Sequence, residues 1–295
     1  MVGMEGAKPE KVLRLAAMRP GGIQIVRELT AREAAAYRKA HDHLLNHDEA
    51  ASLIEIVRRN LSAFENCVSD LSKRQPEPGG RGRLQREGRI DVNRHFLNFL
   101  ASLRQLLDHT ETRLKRDYAE TPEVFEVFRK RTVAAFDGVF AYRFLYKLRN
   151  FSQHCGAPVG VVDFESKAIG STGMIMHTLH LLFDAEQLLR NGGDVWGPVR
   201  ADLRKLGSRF PVDPLPRKVM TELEAIWETV RQAERPHLET SAKVVLETVK
   251  DAPNPYVTPA VIRLWHRKRS TTIEFINPPV ETMAWLGDNT FKELL

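Results

Sequence analysis

The chain has 295 residues, 42% hydrophobic and 28% charged, with a formal net charge of +6. That length can bury a sizeable core in one large or two modest domains. No apolar run approaches the roughly 18 residues of a membrane-spanning helix, and the first six residues lack a basic-then-apolar leader. A cytoplasmic protein away from membranes is therefore expected. The two cysteines, Cys67 and Cys155, lie outside any Cys-x-x-Cys pair and are expected as reduced thiols.

In chain order, Val12 to Leu29 reads as a hairpin turning at Arg19-Pro-Gly-Gly22. Thr30-Ala-Arg-Glu33 fits a capping box, and Ala34, Tyr37, His41 and Leu44 continue at helical spacing. A break is predicted near Asn46 to Glu49, followed by a second helix with Leu53, Val57, Leu61, Phe64, Val68 and Leu71 inward. Gln75 to Gly82 reads as a loop that runs into a mobile basic stretch, and the next helix is predicted over about Val92 to Asp117. Pro122, at a favoured first position, opens a long helix carrying Phe136, Val139, Phe140, Phe144, Leu148 and Phe151 on one face and ending at His154.

Beyond Pro158, Val159 to Val162 and Met174 to Phe183 are strand-like, and Asp184 to Arg190 and Val199 to Leu206 suit short helices. Leu215 to Arg235 is strongly helical, Pro236 ends or kinks it, and His237 to Val249 resumes. Ala260 to Trp265 and Thr271 to Ile276 form a second hairpin. The fold class is mainly α. An antiparallel helical bundle is expected over 28–250 with an inserted strand-like segment, and 1–27 with 251–295 are expected to make a small β element packed on it.

Chemistry collects where Gly156 and Pro158 stop the long helix: Arg149, Asn150, Gln153 and His154 share its last turns, and Tyr146 lies four residues before Asn150. Several Arg/His pairs have similar spacing, among them Arg38/His43 and Arg104/His109, but Arg149/His154 alone combines the following Asn150, an apolar helix before it and a Gly/Pro stop after it. Arg149-Asn150-x-x-x-His154 resembles the Arg-x4-6-His motif of the HEPN superfamily. The resemblance covers roughly residues 90 to 160. It implies a helical, homodimeric fold and a metal-independent endoribonuclease, of a kind that serves as a toxin or defence effector beside a neutralising protein partner. In that reading Arg149, Asn150 and His154 are catalytic. His154 serves as base or acid near its ordinary range, Arg149 forks onto phosphate oxygens, and Asn150 orients one of them. Tyr146, Gln153, Arg104 and Asp108 would support them.

Blander readings stand beside these. A helix end carries solvated polar groups, with His favoured there by the dipole, and Arg104 with Asp108 suits an exposed i, i+4 ion pair. His43 and His47 have the spacing of a helical metal pair but lack a third ligand, so no metal or cofactor is expected. Two basic clusters are candidates for holding RNA. One is Arg81, Arg83, Arg86, Arg89 and Arg94 beside the glycine-containing loop; the other is Trp265, Arg267, Lys268 and Arg269 at the C-terminal hairpin tip. The alternative function is a non-catalytic HEPN-like scaffold that binds a protein partner or a nucleotide.

Overall fold

The computed structural model describes residues 8–19, 21–74, 80–169, 174–252, 258–267, 270–288 and 290–291. The protein is mainly helical, with eight α-helices and two antiparallel sheets among the described residues. No helix among them is long and apolar enough to cross a membrane. The chain falls into two compact units, residues 1–51 with 231–295, and residues 52–230.

The first unit holds a four-stranded sheet built from both chain ends. Strands β1 (Lys8–Arg19) and β2 (Gly22–Glu28) form the N-terminal hairpin, and β6 (Thr258–Arg267) and β7 (Ser270–Phe275) the C-terminal one. Their order is β2-β1-β6-β7, so the two hairpins join through β1 and β6. One sheet face packs Leu13, Leu15 and Val261 against Tyr37, Leu44, Leu238 and Val245 of the helices. The capping box forms as the sequence predicts: the Glu33 amide donates to Thr30 Oγ1 at 3.2 Å, and the Thr30 amide to Glu33 Oε2 at 2.8 Å. The Arg27 hydrogen bond, then those from Thr30, hold the Glu33 carboxyl down to about 2.

Helix α1 (Ala31–Lys73) runs unbroken through Asn46 to Glu49, where a break is predicted from the polar run. Tertiary contacts override local propensity there. Leu44, His47 and Ala50 are buried, His47 Nδ1 lies 3.2 Å from Glu234 Oε2, and Thr282 Oγ1 donates to Asp48 at 3.0 Å. Helix α7 (Leu215–Val249) likewise carries Pro236 inside one continuous element.

Two more helices depart from expectation. Helix α2 (Arg81–Asp117) begins eleven residues before the predicted Val92, so Arg81, Arg83, Arg86 and Arg89 sit on a helix and not in a mobile loop. Gly88 permits this close start, because a Cβ there would lie 2.8 Å from a Leu71 methyl. The predicted helix from Pro122 to His154 is two helices, α3 (Glu123–Gly138) and α4 (Phe140–His154), parted by Val139 at φ −117°, ψ 107°. The hydrophobic stripe is continuous in sequence, and periodicity alone does not register a single extended residue.

The second unit also holds β3 (Val161–Ile169), β4 (Met174–Asp184) and β5 (Arg209–Pro211) in one antiparallel sheet, with short helices α5 (Ala185–Gly192) and α6 (Val199–Lys205) and a 3-10 turn over Gly193–Trp196. A last short helix, α8 (Val280–Trp285), belongs to the first unit.

Candidate functional site

Helix α4 is mounted from below by aromatic side chains. Phe144, Leu145, Leu148 and Phe151 are buried, and Trp196 stacks on both Phe144 and Phe151 with centroids 5.9 and 5.3 Å apart. The indole N–H of Trp196 donates to the Leu188 carbonyl at 2.8 Å, which fixes the ring. Gly192 lies so close that a Cβ there would sit 2.2 Å from that indole nitrogen.

The helix ends where the sequence places the stop. The Cys155 amide donates to the Phe151 carbonyl at 2.8 Å, and Gly156 then takes φ +141°, a conformation L side chains rarely adopt. The outgoing chain is clamped by Asn93 of α2, whose Nδ2 donates to the Val159 carbonyl at 3.1 Å while its Oδ1 accepts from the Val159 amide at 2.9 Å. Both ends of the last turn are therefore held.

On that turn Arg149 and Asn150 are half-buried, and Gln153 and His154 are exposed. The Arg149 guanidinium donates to Asn150 Oδ1 at 3.4 Å and to Gln153 Oε1. Both partners are neutral amides. Other arginines of this unit differ: Arg81 pairs with Asp163, Arg131 with Glu222 and Arg143 with Asp202. Among the described residues no carboxylate pairs with Arg149, and no hydrogen bond joins it to His154. Five residues apart, the two side chains leave an ideal helix roughly 140° from each other.

Arg104 and Asp108 form the predicted i, i+4 pair, Nε to Oδ2 and Nη2 to Oδ1 both at 2.8 Å. The Arg104 guanidinium lies 4.6 Å from the centre of the Tyr146 ring. Burial works against its charge, but Tyr146 and Asp108 outweigh that and raise its pKa. Among the described contacts this pair reaches Tyr146 and not Arg149 or His154. Tyr146 also meets Phe136 edge-on at 5.9 Å. Tyr142, four residues before Tyr146 on the same helix, is 3% exposed, and burial raises its hydroxyl pKa.

The basic clusters fare unequally. Arg81 is tied to Asp163 at 3.0 Å and to the Phe164 carbonyl, and Arg83 to Glu87 at 2.9 Å. Arg94 lies 3.6 Å from Asp91, whereas Arg86 and Arg89 are exposed on the first turns of α2. Trp265 is half-buried, and its indole donates to Glu274 at 2.8 Å, so its N–H edge is engaged within the sheet. Lys268 and Arg269, with the Arg267 side chain, lie outside the described residues.

His43 and His47 do not converge on a shared centre. His43 Nδ1 is 2.9 Å from Ser241 Oγ, and buried His47 stacks on Trp285 with centroids 5.3 Å apart. Among the described residues no group of three or more His, Cys, Asp or Glu is placed to hold a metal ion. A cavity of about 470 Å³ that sequence reasoning missed lies elsewhere in the α4 unit, lined by Glu65, His180, Asp213 and Arg217 among others. Its walls come from α1, β4 and the start of α7, a convergence with no local signature.

Comparison with protein-family models, with curated proteins and with solved structures finds no match. The functional reading therefore rests on the residues at the end of α4.

Proposed function

We propose that the exposed end of α4 cleaves RNA as a HEPN-like, metal-independent endoribonuclease, within a bundle of the HEPN kind. The observation that carries this reading is Arg149: a half-buried guanidinium held by two amide oxygens, Asn150 and Gln153, and paired with no carboxylate among the described residues. Its positive charge is oriented and still open to an anion, as a phosphate clamp requires. Exposed His154, five residues further along the same helix, supplies an imidazole that can accept or donate a proton.

In the proposed reaction a ribose 2′-hydroxyl attacks the adjacent phosphorus. Its proton passes to a histidine base, the bond from phosphorus to the 5′-oxygen breaks, and that oxygen takes a proton from an acid. Arg149 stabilises the charge on the non-bridging oxygens. One chain offers one His154, so a second copy facing it would supply acid and base together. A homodimer and a role as toxin or defence effector, with a neutralising protein partner, belong to this proposal.

A non-catalytic scaffold has one observation in its favour: no described contact joins Arg149 to His154. One experiment separates the two readings. Single-stranded RNA incubated with pure protein and a chelator is expected to give products with 2′,3′-cyclic phosphate ends. His154→Ala is expected to lower the rate by about 10²–10⁴-fold with the helical circular dichroism unchanged. Equal cleavage by wild type and His154→Ala would leave the scaffold reading standing.

A further inference from the structure

The sheet of the second unit leaves one edge open beside a cavity. Strand β5 pairs with β4 only over Leu182 to Asp184, and the Val212 amide then donates to the Leu181 carbonyl at 3.0 Å. The next residues are Asp213-Pro-Leu-Pro216. Proline has no N–H for a ladder, so the chain leaves the sheet there and enters α7. In an antiparallel strand, alternate residues turn both backbone groups to the same side. Leu181 turns its carbonyl toward β5, so Leu179, His177 and Ile175 present their backbone groups along the same edge, past the end of β5. Among the described residues nothing takes these groups up. The opposite edge is different. Phe164, which faces Leu179 across the sheet, has its amide donating to Asp163 Oδ1 at 2.8 Å and its carbonyl accepting from Arg81. Edges are ordinarily blunted by short strands, lysine or proline. Yet β4 has eleven residues, and Asp184, at its paired end, is its sole Asp, Glu, Lys or Arg.

The cavity of about 470 Å³ begins at this point. Successive side chains of a strand point to opposite faces, and four consecutive β4 residues, Leu179 to Leu182, all line it. It therefore runs along the edge of the strand and not over one face. Phe64 and Val68 of α1 give it an apolar wall. The full charges of its lining are Glu65, Asp213 and Arg217, two carboxylates to one guanidinium. Arg217 Nε donates to Glu65 at 2.6 Å, which leaves the Asp213 charge in excess.

We propose that this edge takes an extended peptide segment of a partner protein as an added strand in line with β5, with an apolar side chain in the cavity and a lysine or arginine beside Asp213. A row of open N–H and C=O groups selects polypeptide backbone, because strand addition satisfies donors and acceptors together while pockets read the side chains. The volume lies within the roughly 300–1,000 Å³ of ligand pockets. Charge argues against a second copy as the occupant. Strand β4 holds no lysine or arginine, so pairing of two β4 edges brings no cation to the acidic lining.

The edge shares no residue with the end of α4, so peptide binding and RNA cleavage are tested apart. The probe is a short fluorescein-labelled peptide in which valine alternates with lysine and threonine. The full chain is expected to bind it saturably at about 100 µM or below, read by fluorescence anisotropy. A twin methylated at every amide nitrogen, with no N–H to give the edge, is expected to bind at least about tenfold more weakly. A twin with glutamate for lysine is expected to lose about fivefold. Leu179→Pro removes the outward N–H and no hydrogen bond to β3, a place where an edge strand accepts proline. It is expected to cost at least about tenfold in affinity, with circular dichroism unchanged. If it fails to fold, Asp213→Asn on the exposed turn still reports, with an expected loss of about two- to fivefold. Absence of binding by the parent, equal affinity for the methylated twin, or a folded Leu179→Pro that binds like the parent would overturn the proposal. So would a dimer in sedimentation that Leu179→Pro abolishes, which would assign the edge to a second copy.

Discussion

The two ends of α4 carry the same residue type to different effect. Near the start, Arg143 is gripped by Asp202 through two hydrogen bonds, 2.7 and 3.1 Å, and lies over the Phe140 ring. Near the end, Arg149 is held by two amide oxygens. A carboxylate partner neutralises a guanidinium and fills its fork; an amide partner orients it and leaves the charge in place. The Asp202 hydrogen bond raises the Arg143 pKa, and Arg143 in turn lowers that of Asp202, as expected of a structural pair. One end of the helix ties the fold together, and the other presents charge.

Exchanging the two arginines for alanine is the strongest way to break this contrast. Arg149→Ala is expected to reduce RNA cleavage by about 10²-fold or more while the melting temperature stays within a degree or two of the parent's. Arg143→Ala is expected to do the reverse. It lowers stability by about 1–2 kcal/mol, because Asp202 loses its partner in a half-buried setting, and it leaves cleavage per folded molecule unchanged. Equal effects of the two variants on cleavage would erase the distinction.

A second variant asks whether the presenting end depends on its floor. Gly192→Ala places a methyl against the Trp196 indole that supports Phe151. Overpacking there is expected to cost about 1–3 kcal/mol in urea denaturation, with cleavage reduced in step if the floor positions Arg149. Smaller again is the effect expected of the arginines on α2. All four arginines at the start of α2 are exposed, but Arg81 and Arg83 are each paired with a carboxylate, Asp163 and Glu87. Neutralising Arg86 and Arg89 is expected to flatten the slope of log affinity against log salt by about 1.4 if each meets a phosphate; neutralising Arg81 and Arg83 is expected to change it less.

The smallest effect lies in the other unit and serves as a control on pH. Glu33 titrates at about 2 in the fold, against an ordinary 4.5. A lowered carboxyl contributes stability that is present above its unfolded pKa and lost as pH falls from there toward the folded one. Acidification from pH 5 to pH 2 is therefore expected to lower the melting temperature of the parent slightly more than that of Glu33→Gln. Cleavage near neutral pH is expected to be the same in both.

Much of the fold was legible. Capping chemistry at Thr30 and Glu33, the Gly/Pro stop after His154 and both terminal hairpins are local signals, and local signals survive folding. The misreadings share a physical cause. The polar run at Asn46 to Glu49 looks like a break until Glu234 and Thr282, nearly two hundred residues or more away, take up His47 and Asp48. The glycines before Arg89 look like a loop until Gly88 is seen pressed against Leu71. At the candidate site the sequence nominates residues but not their partners. That Arg149 meets amides and Arg104 meets Tyr146 depends on which helices pack together, and spacing along one helix does not encode it.

The extended residue at Val139 has a consequence for phasing. Because α4 starts afresh there, the angular position of Arg149 and His154 is counted from Phe140 and not from Pro122. A residue inserted into α3 would shift that helix alone, and the interruption can absorb the change. A residue inserted between Phe140 and Arg149 would turn both side chains by about 100° about the helix axis and carry them ~1.5 Å along it. The interruption makes α4 a separately indexed ruler of fifteen residues. Its tip can keep its bearing while the chain before Val139 changes in length.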